Sequence, residues 1–155
     1  MDRDLLDVAT LLISGGPIIT KQALLRRAAS TAYYAEFQAL ASRCASTLVT
    51  YRGTDWDTYT LAYRALDHRS ARKLFERSDI TSAFGSDIAT FAGAFVNLQR
   101  ARILADYVPQ PFQYGKIQVA ELIEQARNAC HIVDRIPTPL MRKLAAQLVF
   151  KSRGG

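Results

Sequence analysis

Arg64 and His68 are the pair whose types and spacing suit chemistry best in this 155-residue chain. Four positions apart, they share a face on a continuous helix, and that face runs on to Arg72 and Phe75. Histidine moves a proton near neutral pH. Arginine holds a phosphate and stabilises the charge that develops on it. The pair therefore suits RNA cleavage by internal attack of the ribose 2′-hydroxyl. Asp67 lies about 100° away on such a helix and is no obvious orienting group for His68. A second pair, Arg127 and His131, repeats the spacing. Its face also carries Glu124 and Asp134, as a solvated helix surface of alternating charge does.

Arg102 is the third candidate. Phe84, Ile88, Phe91, Phe95 and Leu98 form a stripe of alternating four- and three-residue steps, and the next step lands on Arg102. An unpaired guanidinium on a core stripe is very costly. Arg102 must therefore pair, with Asp106 at i+4 as the local partner, or line a cleft where it meets phosphate. Tyr107 follows directly. Other chemistries lack their patterns. There is no glycine-rich phosphate loop, nucleophile elbow, CxxC, Cys/His cluster or HExxH, so neither a metal nor a cofactor is expected. Cys44 and Cys130 fall among apolar residues at helical spacing and read as small core residues.

These residues have to be placed by helices, because strand-like alternation is almost missing. The pattern predicts a short amphipathic helix over Leu5 to Ile13, stopped by Ser14-Gly15-Gly16-Pro17. A long helix, which Thr20 would cap, runs to about Thr50 and ends at Arg52-Gly53-Thr54. A third covers Thr58 to Glu76, and a loop Ser78 to Ser82 leads into a fourth that ends near Tyr107, before Pro109 and Pro111. A fifth covers Lys116 to Ile136. Pro137 and Pro139 break the chain before a last amphipathic helix, Leu140 to Phe150. Four long helices with short connections predict an all-α, antiparallel up-and-down bundle with short flanking helices. The expected core is residues 20–136 of a single domain, followed by the C-terminal helix and a basic tail, 138–155.

A chain of this length buries enough surface to need no disulfide. Net charge is +6 and the sequence pI is about 9.6, compatible with an anionic partner. No acidic residue follows Asp134, whereas Arg135, Arg142, Lys143, Lys151 and Arg153 do. No stretch approaches the roughly 18 apolar residues of a membrane span, and no basic-then-apolar leader opens the sequence. A cytoplasmic protein with no membrane contact is expected.

Ala32-Tyr33-Tyr34-Ala35-Glu36-Phe37, preceded by Arg27 and Ser30, resembles the opening signature of small prokaryotic HEPN proteins. Leu98 to Tyr107 (LQRARILADY) resembles their second signature, and His68 before a basic stretch lies between the two. The likeness covers residues 20–136 or so. It implies a helical bundle that forms a homodimer. It further implies either a metal-independent RNase, commonly a toxin of a toxin–antitoxin or defence system neutralised by a nucleotidyltransferase-like antitoxin, or a non-catalytic module that binds a nucleotide or a protein. By the same likeness Tyr33, Tyr34 and Phe37 are packing residues, and Arg102, Asp106 and Tyr107 lie at or beside the cleft. The family's nuclease motif separates its arginine and histidine by four to six residues. Here Arg64/His68 and Arg127/His131 are each separated by three. Two expectations follow. In the first, His68 acts as acid/base with Arg64 and Arg102 on the phosphate, His68 meeting Arg102 across the bundle or dimer, and Asp106, Tyr107 and Arg72 line the cleft. In the second, the cluster binds RNA, a nucleotide or a protein without chemistry. A third function, a helical adaptor, would dock an acidic protein through the basic C-terminus.

Overall fold

A computed structural model describes residues 2–15, 21–49 and 55–150, and in these the chain is all helical. The elements are α1 (Asp2–Ile13), α2 (Gln22–Leu48), α3 (Trp56–Arg64), α4 (His68–Phe75), α5 (Ser78–Ala83), α6 (Ser86–Tyr107), α7 (Lys116–Arg135) and α8 (Thr138–Val149). The cap at Thr20, the stop at 52–54 and the tail from 151 lie outside the described residues.

The axis of the bundle is α2. It is buried on nearly every side, because α1, α6 and α7 pack along it and α3 and α8 close over other parts of its length. Its alanines make this possible: Ala28, Ala29, Ala32, Ala35, Ala39, Ala41 and Ala45 are all buried, and small side chains let neighbouring helices approach closely. The stripe expected on the fourth helix forms the facing wall, with Ile88, Phe91, Phe95 and Leu98 buried on α6. Val119, Ile123, Ala126, Cys130 and Val133 do the same on α7. Cys44 and Cys130 are buried free thiols, and burial pushes the Cys44 thiol up to about 12.

The expected third helix is two helices. The break at Ala65–Asp67 has a local cause: Asp67 adopts an extended backbone, and its carboxylate accepts a hydrogen bond from Ser70 N at 2.8 Å, capping a new helix. Asp55 starts α3 in the same way, accepting from Thr58 N at 3.1 Å. The bundle therefore has three long helices, not four. The loop expected over 78–82 is the short helix α5, and Phe84, assigned to the start of the α6 stripe, lies in the α5–α6 turn. Gly85 closes that turn with φ of 99°, a left-handed conformation that favours glycine. Pro139 does not delay α8 but sits in its first turn, where a missing N–H costs nothing.

Two packing relationships fix the elements around His68. Phe75 of α4 meets Phe91 and Phe95 of α6 at ring-centroid distances of 5.3 and 5.0 Å, which anchors α4 to the core. Arg26 of α2 clamps the end of α6: its Nη1 donates to the carbonyls of Leu104, Ala105 and Val108 at 3.0, 2.9 and 2.9 Å, and its Nη2 donates to Gln110 O. These carbonyls have no helical partner of their own, and a cation there also offsets the negative end of the helix. The same guanidinium lies 5.3 Å from the Phe112 ring centroid, which ties down the connection to α7.

Candidate functional site

His68 is the first residue of α4, and α2 and α6 hold it in place. Phe37 of α2 stacks on it at 3.9 Å between centroids and 24° between planes. The Tyr33 hydroxyl lies 2.6 Å from Nδ1. Gln99 of α6 donates to the His68 carbonyl at 2.9 Å and, over 3.4 Å, to the Tyr33 hydroxyl.

This network bears on where the ring carries its proton. Tyr33 is fully buried, and burial pushes its pKa far above the ordinary tyrosine value, so its hydroxyl is protonated. With Gln99 donating to the tyrosine oxygen, the hydroxyl hydrogen is available to Nδ1, whereas an Nδ1–H ring would donate to that oxygen instead. In the first arrangement a neutral His68 accepts at Nδ1 and carries its hydrogen on Nε2. Partial burial, with the nearby Arg102 charge, lowers the His68 pKa below 6.5; the Asp67 carboxylate opposes this. The imidazole is neutral at neutral pH. Among the described residues Nε2 has no hydrogen-bond partner, and in the Nε2–H tautomer it offers a donor to a ligand.

Arg102 is held beside this ring. Its Nη2 donates to Tyr34 Oη at 2.7 Å and to Tyr107 Oη at 3.1 Å. Its carbon Cζ lies 5.0, 5.4 and 5.9 Å from the ring centroids of Tyr107, Tyr34 and Tyr33. The i,i+4 partner expected from the sequence is present: Nε lies 2.9 Å from Asp106 Oδ2, aligned as a charge contact and not as a hydrogen bond. Ser30, buried on α2, donates to the same Asp106 oxygen at 3.0 Å. The Arg102 side chain is 14% exposed, Asp106 27% and the Tyr107 residue 67%, so the cluster runs from the core out to the surface.

The structure thus brings together four of the six residues singled out from sequence: His68, Arg102, Asp106 and Tyr107. The other two do not join them as expected. Arg64 ends α3, is exposed, and shares no helix face with His68, because the chain breaks between them. Arg72 makes an i,i+4 pair with Glu76 on α4 itself, Nε to Oε1 at 2.7 Å. Arg127 likewise pairs locally with Glu124 at 3.3 Å, and His131 is exposed, as read from the sequence.

Sequence reasoning missed Gln99, Ser30 and Arg26, and assigned Tyr33 and Tyr34 to packing alone. Tyr33 could have been flagged: a tyrosine in the middle of a buried helix needs a partner for its hydroxyl. Gln99 and Arg26 act across the fold and carry no local signal. Glu36 is a further surprise, a completely buried carboxyl that finds no hydrogen-bond partner among the described residues and whose pKa burial raises well above the ordinary range.

Comparison with family models, curated proteins and solved structures finds no match. Among the described residues no helix is long and apolar enough to cross a membrane.

Proposed function

We propose that this chain is a HEPN-like helical module that binds a phosphate-bearing ligand, an RNA strand or a nucleotide, through His68 and Arg102. One observation supports the reading: the Tyr33 hydroxyl engages Nδ1, and when it donates there the other edge of His68 is a hydrogen-bond donor beside a fixed guanidinium. An N–H donor and a cation converge on an anion, not on a proton to be abstracted. Tyr34 and Tyr107 add ring faces on which a base can stack. The net charge of +6 favours the same class of partner.

Calorimetric titration with adenine and guanine nucleotides and a short single-stranded RNA tests this. Binding that falls about tenfold in His68→Ala and in Arg102→Gln is expected, since each removes one hydrogen bond to a charged group. No heat with any of these ligands rejects the reading.

The depressed pKa of His68 favours a second reading, a metal-independent RNase of a toxin–antitoxin or defence system. There the ring is in its other tautomer, with Nδ1–H donating to the Tyr33 hydroxyl; Nε2 takes the 2′-hydroxyl proton as that oxygen bonds to phosphorus and passes it to the departing 5′-oxygen, while Arg102 stabilises the phosphorane charge. The HEPN likeness adds a homodimer to both readings and a nucleotidyltransferase-like antitoxin to the RNase reading. Light scattering of the pure protein tests the first, and co-purification with the product of an adjacent gene tests the second.

A further inference from the structure

Gln99 bonds both the backbone of His68 and the tyrosine that engages its ring. It lies on α6 with only 4% of its surface exposed. Its Nε2 donates to the His68 carbonyl at 2.9 Å and, over a longer 3.4 Å, to Tyr33 Oη. An amide nitrogen has two hydrogens, so both are used. The orientation of the amide is fixed by the first of these contacts. A backbone carbonyl only accepts, and an inverted amide would set Oε1 against the His68 oxygen with no hydrogen between them. Oε1 itself is buried and accepts no hydrogen bond among the described residues. Gln99 therefore presents N–H, and not an acceptor, to Tyr33.

The Tyr33 hydroxyl has one hydrogen to place. Tyr33 is fully buried, and among the described residues its oxygen has two polar partners, Gln99 Nε2 and His68 Nδ1. Glu36, one turn along α2, offers no third: neither of its oxygens has a hydrogen-bond partner. An Nδ1–H ring would give the tyrosine oxygen two incoming hydrogens, one from Gln99 and one from the imidazole. The hydrogen of the hydroxyl would then be buried without an acceptor, which is costly. An Nε2–H ring leaves Nδ1 to accept that hydrogen, and every donor in the chain is matched.

We infer that Gln99 is the positioning residue that sets the tautomer of His68, and with it the kind of group that the open edge of the ring can meet. With glutamine at this position the open edge is an N–H, which suits an anionic oxygen. With an acceptor there instead, the Tyr33 hydrogen turns away from the ring, Nδ1 donates to the tyrosine oxygen, and Nε2 keeps a lone pair that can take a hydroxyl proton. One buried side chain thus selects between anion binding and proton abstraction. The consequence for ligands rests on the reading of His68 as the working group; the tautomer itself does not.

Imidazole ¹⁵N shifts and titration with adenosine monophosphate, on wild type, Gln99→Met and Gln99→Glu at neutral pH, test this. Methionine has the length of glutamine but no N–H donor and only a weak acceptor. Glutamate offers Tyr33 an acceptor and, when protonated, still donates to the His68 carbonyl. Wild type is expected to be chiefly Nε2–H. Gln99→Met should lower the ratio of Nε2–H to Nδ1–H about tenfold, and Gln99→Glu should make Nδ1–H the majority form. Affinity for the nucleotide should fall in the same order. Circular dichroism and urea unfolding score packing separately: a residue that only fills space would cost stability in both variants without moving the shifts. If Gln99→Glu does not fold, Gln99→Met decides alone. Wild-type shifts in a folded variant, or an Nδ1–H ring in wild type, overturn the assignment of Gln99. Shifts that move as expected while all three proteins bind the nucleotide equally overturn the link to the ligand. Failure of wild type to bind the nucleotide overturns the reading of His68, and that link with it, while the shifts still judge Gln99.

Discussion

The Tyr33 hydroxyl on α2 and Nδ1 of His68 on α4 are joined by a hydrogen bond of 2.6 Å, the contact that decides what His68 can do. Imidazole ¹⁵N chemical shifts read its consequence. Wild-type protein at neutral pH should show a single neutral tautomer protonated on Nε2. In Tyr33→Phe the tautomer loses its lock and the shifts move toward the averaged values of a free imidazole. Loss of this buried hydrogen bond should also cost about 1 kcal/mol in urea unfolding. An Nδ1-protonated ring in wild type would reverse the assignment.

The lowered His68 pKa makes a statement about stability. At pH well above 6.5 the ring is neutral in both folded and unfolded chains and contributes nothing. As pH falls below 6.5 the unfolded chain takes up a proton that the folded chain resists, so the fold loses stability until the folded-state pKa is passed. His68→Gln removes this loss. Urea midpoints compared at pH 7.5 and pH 5.5 should therefore drop more in wild type than in the variant; parallel drops would show that the ring titrates normally.

Glu36 acts in the opposite direction. Burial holds its carboxyl neutral in the fold, while in the unfolded chain it ionises near its ordinary value of 4.5. Rising pH above that value therefore favours the unfolded state. Glu36→Gln, similar in shape and never charged, should raise stability at pH 7 to 8 and leave it nearly unchanged at pH 4. A variant less stable at both would mean that Glu36 is ionised and paired in the native state.

Arg26 positions the site from outside it. Its four carbonyl contacts hold the turn of α6 that bears Asp106 and Tyr107. Arg26→Ala should cost about 2–3 kcal/mol, the range for hydrogen bonds to a charged group. It should also accelerate amide exchange over residues 104–112 more than elsewhere. Lysine, with one nitrogen, should restore only part of this. Uniform acceleration across the chain would reduce Arg26 to a global stabiliser.

Long-period signals in the sequence carried over well. The Phe84–Leu98 pattern gives α6 its buried face from Ile88 onward, and the breaks at Pro109 and Pro137 fall beside helix ends. The Arg102–Asp106 pair was legible because both partners lie on one helix. The Arg64–His68 pairing failed for a local reason: Asp67 competes for the backbone and restarts the helix, which turns a shared face into two elements. Tyr33–His68 and Ser30–Asp106 join residues 35 and 76 positions apart, and no periodicity encodes such a contact. The central place of α2 is a matter of packing: it is buried around most of its circumference, beyond what any single apolar stripe shows.

The central claim is that His68 and Arg102 bind phosphate with the ring as a donor. The most direct measurement incubates wild type and His68→Ala with end-labelled single-stranded RNA in EDTA, scoring retention and strand integrity in the same samples. Wild type is expected to retain intact RNA, and the variant to retain it about tenfold less well. Cleavage by wild type alone would contradict the donor-only role and make His68 catalytic, and failure of wild type to retain RNA would contradict RNA as the ligand of this site.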